Sequence, residues 1–103
     1  MNEQLKIIVT IDYKGNVVIP QKLLDMVGIT DTAGIGVTST AIMLSGEYSD
    51  PRKLFNNRTL NIPRIILKKL KINLNDKLVV FVENEYIVIK RLLLRRKKTL
   101  TDK

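Results

Sequence analysis

Apolar and polar residues alternate with different periods along this chain, and each change of period marks an element. Leu5 to Ile11 (L-K-I-I-V-T-I) is rich in β-branched residues and predicts a strand. Tyr13-Lys14-Gly15-Asn16 then predicts a tight turn in which Gly15 takes a positive φ, and Val17 to Ile19 a short returning strand. Pro20 ends that strand and suits the first position of a helix, where a missing N–H costs nothing. Gln21 to Val27 places Leu23, Leu24 and Val27 on one helical face, and Gly28 is the expected stop. Val37 to Thr40 and Ala41 to Leu44 predict a weak strand pair whose start is blurred by Gly34 and Gly36. The linker-like run S-G-E-Y-S-D-P spans residues 45–51, with a weak lead strand around Arg52 to Phe55 after it. Thr59 to Ile62 predicts a strand. Pro63 opens a second helix, to about Lys71, that buries Ile66, Leu67 and Leu70. Asn73 to Asp76 is a turn, and Leu78 to Val82 with Tyr86 to Leu92 predict a β-hairpin around Glu83-Asn84-Glu85.

The second half of this series repeats the first. Residues 14–29 (K-G-N-V-V-I-P-Q-K-L-L-D-M-V-G-I) align without a gap on residues 57–72 (N-R-T-L-N-I-P-R-I-I-L-K-K-L-K-I), at an offset of 43. Ile19-Pro20 falls on Ile62-Pro63, Leu24 on Leu67, Val27 on Leu70 and Ile29 on Ile72. Each copy reads strand, strand, Pro-started short helix, strand, strand. A repeat shorter than about 50 residues buries little core alone, so the two copies are expected to share one. The expected organisation is a single domain over 1–92, made of repeat one (5–45) and repeat two (52–92), followed by a basic tail over 93–103.

Composition narrows the chemistry. Hydrophobic residues make up 45% of the chain, with five aromatics and no Trp, so the core is mainly Ile, Leu and Val. The absence of Cys removes disulfides and thiolate chemistry, and the absence of His removes the commonest general base and zinc ligand. No Gly-rich phosphate loop is present, and Asp12, Asp25 and Asp31 lack metal-ligand spacing. No enzyme activity, catalytic residue, metal or cofactor is expected. No apolar run approaches a membrane span, and the run near the N-terminus is too short for a signal peptide, so a cytoplasmic protein that does not engage a membrane is expected.

Charge changes the picture most. The net charge is +8, unevenly spread. Residues 1–50 carry three bases (Lys6, Lys14, Lys22) against six acids, a net −3, while residues 51–103 carry fifteen bases against four acids, a net +11. A surplus confined to one repeat and its tail points to a polyanion-binding face rather than to general solubility.

The order hairpin, V-I-P, short helix ending G-I, then hairpin resembles the AbrB/SpoVT-like (MazE-like) swapped-hairpin family, with its motif D-x-x-G-R-[IV]-V-I-P-x-x-L-R-x-x-L-G-I. Asp12, Gly15, Val17, Val18, Ile19, Pro20, Leu23, Val27, Gly28 and Ile29 match it, and the second copy keeps Ile62, Pro63, Ile66, Leu70 and Ile72. Members usually carry one copy per chain, and two chains interleave their hairpins into one DNA-binding barrel. The resemblance implies a mostly β fold with short helices: a swapped-hairpin barrel formed by two tandem ββαββ repeats, an intrachain pseudo-dimer. Fusion would replace bimolecular assembly by an intramolecular step and let the halves diverge. They have diverged. The family's arginine after the turn glycine is Asn16 in copy one and Thr59 in copy two, and the one after the helix leucine is Leu24 and Leu67. The next position is Asp25 in copy one and Lys68 in copy two.

The expected function is duplex-DNA binding through the second repeat, as a transcription regulator or nucleoid-associated protein. The candidate DNA-binding residues are Arg52, Lys53, Arg58, Arg64, Lys68, Lys69 and Lys71, with Arg95 and Arg96 in an accessory tail that also takes in Arg91. Arg58 and Arg64 have the planar fork suited to base reading, whereas lysines hold phosphates. Lys68, Lys69 and Lys71 equally fit a solvated helix face. Two alternatives stand beside this reading. One is an antitoxin, against which the short basic tail weighs. The other is a protein–protein assembly module that no longer binds DNA. Two chains pairing through the weakly charged first repeat, or binding of another protein partner, also fits the sequence.

Overall fold

A computed structural model describes residues 5–46, 51–53 (backbone alone) and 58–92. Ten elements follow in order: β1 (Ile7–Thr10), β2 (Asn16–Val18), α1 (Gln21–Val27), β3 (Thr32–Val37), β4 (Ile42–Ser45), β5 (Pro51–Lys53), β6 (Thr59–Asn61), α2 (Arg64–Leu70), β7 (Lys77–Glu83) and β8 (Tyr86–Arg91). The architecture is mostly β and antiparallel, with two short helices. Six strands form one sheet in the order β1-β7-β8-β4-β3-β5, and β2 and β6 form a separate two-stranded ribbon. The six-stranded sheet is open, with β1 and β5 at its ends.

Both helices start at the proline one residue outside them. Pro20 and Pro63 sit at the N-cap with extended ψ of 133° and 142°, and their carbonyls accept the first helical bonds, from Leu23 and Leu24 and from Ile66 and Leu67. Proline fixes φ and donates nothing, so it closes a strand and opens a helix in one residue. Both helices end on a left-handed residue: Gly28 (φ 73°) and Lys71 (φ 59°). Seven-residue helices have no independent stability. They persist here because Leu23, Leu24 and Leu67 are buried in the core. Ile66 and Leu70 pack partly buried against the same core, while Ile65 points outward, 76% exposed.

In the first repeat β3 lies earlier than the sequence pattern predicts, at 32–37 rather than 37–40, and β4 one residue later, at 42–45 rather than 41–44. Gly34 and Gly36 do not delay β3. They alternate with Ala33, which is buried in the core, Ile35, which packs against it, and Val37. The turn at Thr38 to Ala41 is closed by the Thr38 side chain. The β7–β8 hairpin turns on two residues, Asn84 and Glu85, both at positive φ (52° and 71°), with Glu83 paired to Tyr86.

Pairing crosses between the repeats. β1 lies on β7, β5 on β3 and β2 on β6, so each repeat's lead strand joins a strand of the other. The register obeys a two-fold relation. Val17 and Leu60, equivalent residues 43 apart, are partners in the ribbon. After the helices the offset becomes 45, because Asn73 to Asp76 makes the second connection two residues longer. Buried Ile29 and Ala33 thus correspond to buried Ile72 and Leu78. At that offset Met43 and Val88 are equivalent, and they are partners across β4 and β8. The pairs Ile8–Val79 and Pro51–Gly34 correspond in the same way. One core cluster draws equivalent residues from both halves, among them Val17 with Leu60, Ile19 with Ile62, Leu24 with Leu67 and Leu44 with Ile89. A smaller cluster, Ala41, Phe81 and Val88, lies on the other face of the sheet, with the Lys6 ammonium 5.4 Å from the Phe81 ring centre.

Candidate nucleic-acid interface

The ribbon β2–β6 decides where the candidate cations stand. At one end the turn of repeat one meets the second repeat: the Ile62 N–H donates to the Gly15 carbonyl at 2.9 Å. At the other end the roles exchange, and the Ile19 N–H donates to the Arg58 carbonyl at 2.8 Å. Arg58 is therefore placed beside the entry to α1, and Lys14 beside the entry to α2.

The turn carrying Lys14 is tightly built. Asp12 Oδ1 accepts the Lys14 and Asn16 N–H groups, each at 2.8 Å. The bond from Asn16, above all, holds the Asp12 carboxyl below its ordinary range. Gly15 has φ 84°, and a Cβ there would sit 3.4 Å from the Ile62 carbonyl oxygen. Asn61 Nδ2 donates to the Lys14 carbonyl at 3.1 Å and to Asn16 Oδ1 at 2.8 Å. Repeat one has Val18 where repeat two has Asn61, so this clamp occurs at one end of the ribbon. Its significance is not readable from the sequence, where Asn61 is one polar residue in a short strand.

Arg64, Lys68, Lys69 and Lys71 are carried by α2 and its cap, and all four are exposed. Arg64 and Lys68, four apart, share one row of the helix surface. Among the described residues, no carboxylate forms an ion pair with any of the four. α1 presents a different face: Gln21 occupies the place of Arg64 and donates to Asp25 Oδ1 at 2.8 Å, and Asp25 occupies the place of Lys68. Lys71 is also structural, since Arg91 Nη1 donates to its carbonyl at 2.7 Å. Arg91, expected in the basic tail, ends β8 and caps α2. Arg52 and Lys53 are placed by their backbone in β5, and Arg95 and Arg96 lie outside the described residues.

Two of the cavities that border the helices differ in charge. One, of about 250 Å³, lies between the repeat-one turn and α2 and is lined by Tyr13, Lys14, Asn61, Arg64, Leu67 and Leu74, among others. Another, of about 390 Å³, lies beside α1 and is lined by Gln21, Asp25, Ile29, Thr30 and Asp31. The first carries two cations, the second two carboxylates. Among the described residues, no helix is long and apolar enough to cross a membrane. Comparison with protein-family models, with curated proteins and with solved structures finds no match.

Proposed function

We propose that this protein binds duplex DNA, as a transcription regulator or nucleoid-associated protein, with a swapped-hairpin fold in which the two repeats act as an internal pseudo-dimer. The observation that carries this reading is the outer surface of α2, where Arg64, Lys68 and Lys69 stand free of carboxylate partners among the described residues. Unpaired cations in a row match a row of phosphates, and binding to phosphates supplies affinity without reading sequence. The crossed strand pairing supports the pseudo-dimer, because each repeat lends its lead strand to the other. Arg64 and Lys68 are the principal phosphate ligands, and Arg58 contributes from the far end of the ribbon.

The test is binding of the full chain to a random-sequence duplex across a salt series. The double variant Arg64→Gln/Lys68→Gln lowers the log–log salt slope by about 0.9 for each phosphate it no longer neutralises. Lys22→Gln, on α1, leaves it unchanged. Absence of binding to any duplex at low salt overturns the reading and favours the assembly-module alternative.

A further inference from the structure

We infer that the DNA-binding site crosses the repeats: Lys14 of the otherwise acidic first repeat belongs to it, and the cavity it shares with Arg64 seats one backbone phosphate. This inference rests on the function proposed above and sharpens it. Charge counted along the sequence assigns Lys14 to the wrong half, because the net −3 of residues 1–50 makes its lysines look incidental. The ribbon carries the turn of repeat one across to α2, and Lys14 and Arg64 line one cavity.

Three features make this a built site. The Lys14 backbone is fixed on both sides, by the Asp12 carboxylate on its N–H and by Asn61 on its carbonyl. Gly15 takes the positive φ of 84° that the turn needs, and its carbonyl accepts from the Ile62 N–H, which brings the turn in. The Lys14 ammonium lies 5.6 Å from the centre of the Tyr13 ring, which itself lines the cavity. Asp12 is the acid nearest to Lys14 in sequence, and its Oδ1 is occupied by two backbone N–H groups. The lining therefore includes a lysine and an arginine and no carboxylate residue. A phosphodiester is the group that two such donors fit.

The two-fold relation supplies an internal comparison. The equivalent place at the other end of the ribbon has Arg58 in the position of Gly15 and Gln21 in that of Arg64, beside Asp25. One half of the pseudo-dimer is thus equipped to seat a phosphate deeply and the other is not. The protein engages duplex DNA from one side of its pseudo-axis, as an asymmetric binder rather than a reader of palindromes.

Salt-series binding of Lys14→Gln, Lys14→Arg, Lys22→Gln and the Arg64→Gln/Lys68→Gln variant to the same duplex tests this, with thermal unfolding of each as the folding control. Lys14→Gln is expected to lower the slope by about 0.9, Lys14→Arg to retain it and Lys22→Gln to leave it unchanged. If Lys14→Gln and Lys22→Gln are indistinguishable while the Arg64/Lys68 variant still has a reduced slope, the crossed site is wrong and the proposed function stands. If the unaltered chain binds no duplex, both fail together.

Discussion

Gly28 and Lys71 occupy the same left-handed cap in the two repeats, which makes them a natural experiment in backbone conformation. No atom lies within 4 Å of a Cβ built on Gly28, so Gly28→Ala meets no clash and its cost is conformational alone. Gly28→Ala is expected to destabilise by about 1 kcal/mol, and Lys71→Gly to stabilise by up to about 1 kcal/mol. Urea midpoints of the two variants check both signs. Asp12 supplies a pH dependence. Its carboxyl titrates below its ordinary value in the folded chain, so its stabilisation is full above the unfolded value and is lost as pH falls through the folded one. Asp12→Asn is expected to flatten the acid limb of the stability–pH curve, measured by denaturant unfolding at successive pH values.

Among elements, α2 makes the sharpest prediction because its faces are so unequal. Leu67 is 7% exposed and Ile65 is 76% exposed. Leu67→Ala is expected to cost roughly 2–5 kcal/mol, and Ile65→Ala to stay within about half a kcal/mol. Leu70, half-buried beside them, falls between. The helices are legible in the sequence because a proline and a 3.6-residue apolar period coincide, joined in α1 by a glycine stop, and α1 spans the residues that pattern predicts. β3 is not, because two glycines in six residues weaken the local strand signal, while its inward residues Ala33 and Ile35 are chosen by packing. Of the candidate site, the cations of α2 are legible as unbalanced charge. The company of Lys14 is not, since it depends on hydrogen bonds between positions 45 or more residues apart.

At the scale of the molecule, the crossed pairing makes each half depend on the other. A fragment of residues 1–48 keeps β1 without β7, and one of residues 52–103 keeps most of β5 without β3. Neither is expected to unfold cooperatively as a monomer near the midpoint of the full chain, whereas an equimolar mixture is expected to regain native circular dichroism. A cooperative transition in either monomer near the full-length midpoint would show that the halves do not need a common core.

The pairs on the two-fold relation carry one more consequence. In a dimer of identical chains, the residue on the axis meets its own copy, so every mutation there arrives in double dose and must tolerate itself. Here Val17 meets Leu60, and Met43 meets Val88. A joined chain can set a smaller side chain against a larger one, and can change either without changing its neighbour. The reciprocal exchange Val17→Leu with Leu60→Val preserves total volume at that seam, whereas Val17→Leu alone overfills it, a combination of outcomes that no homodimer can sample.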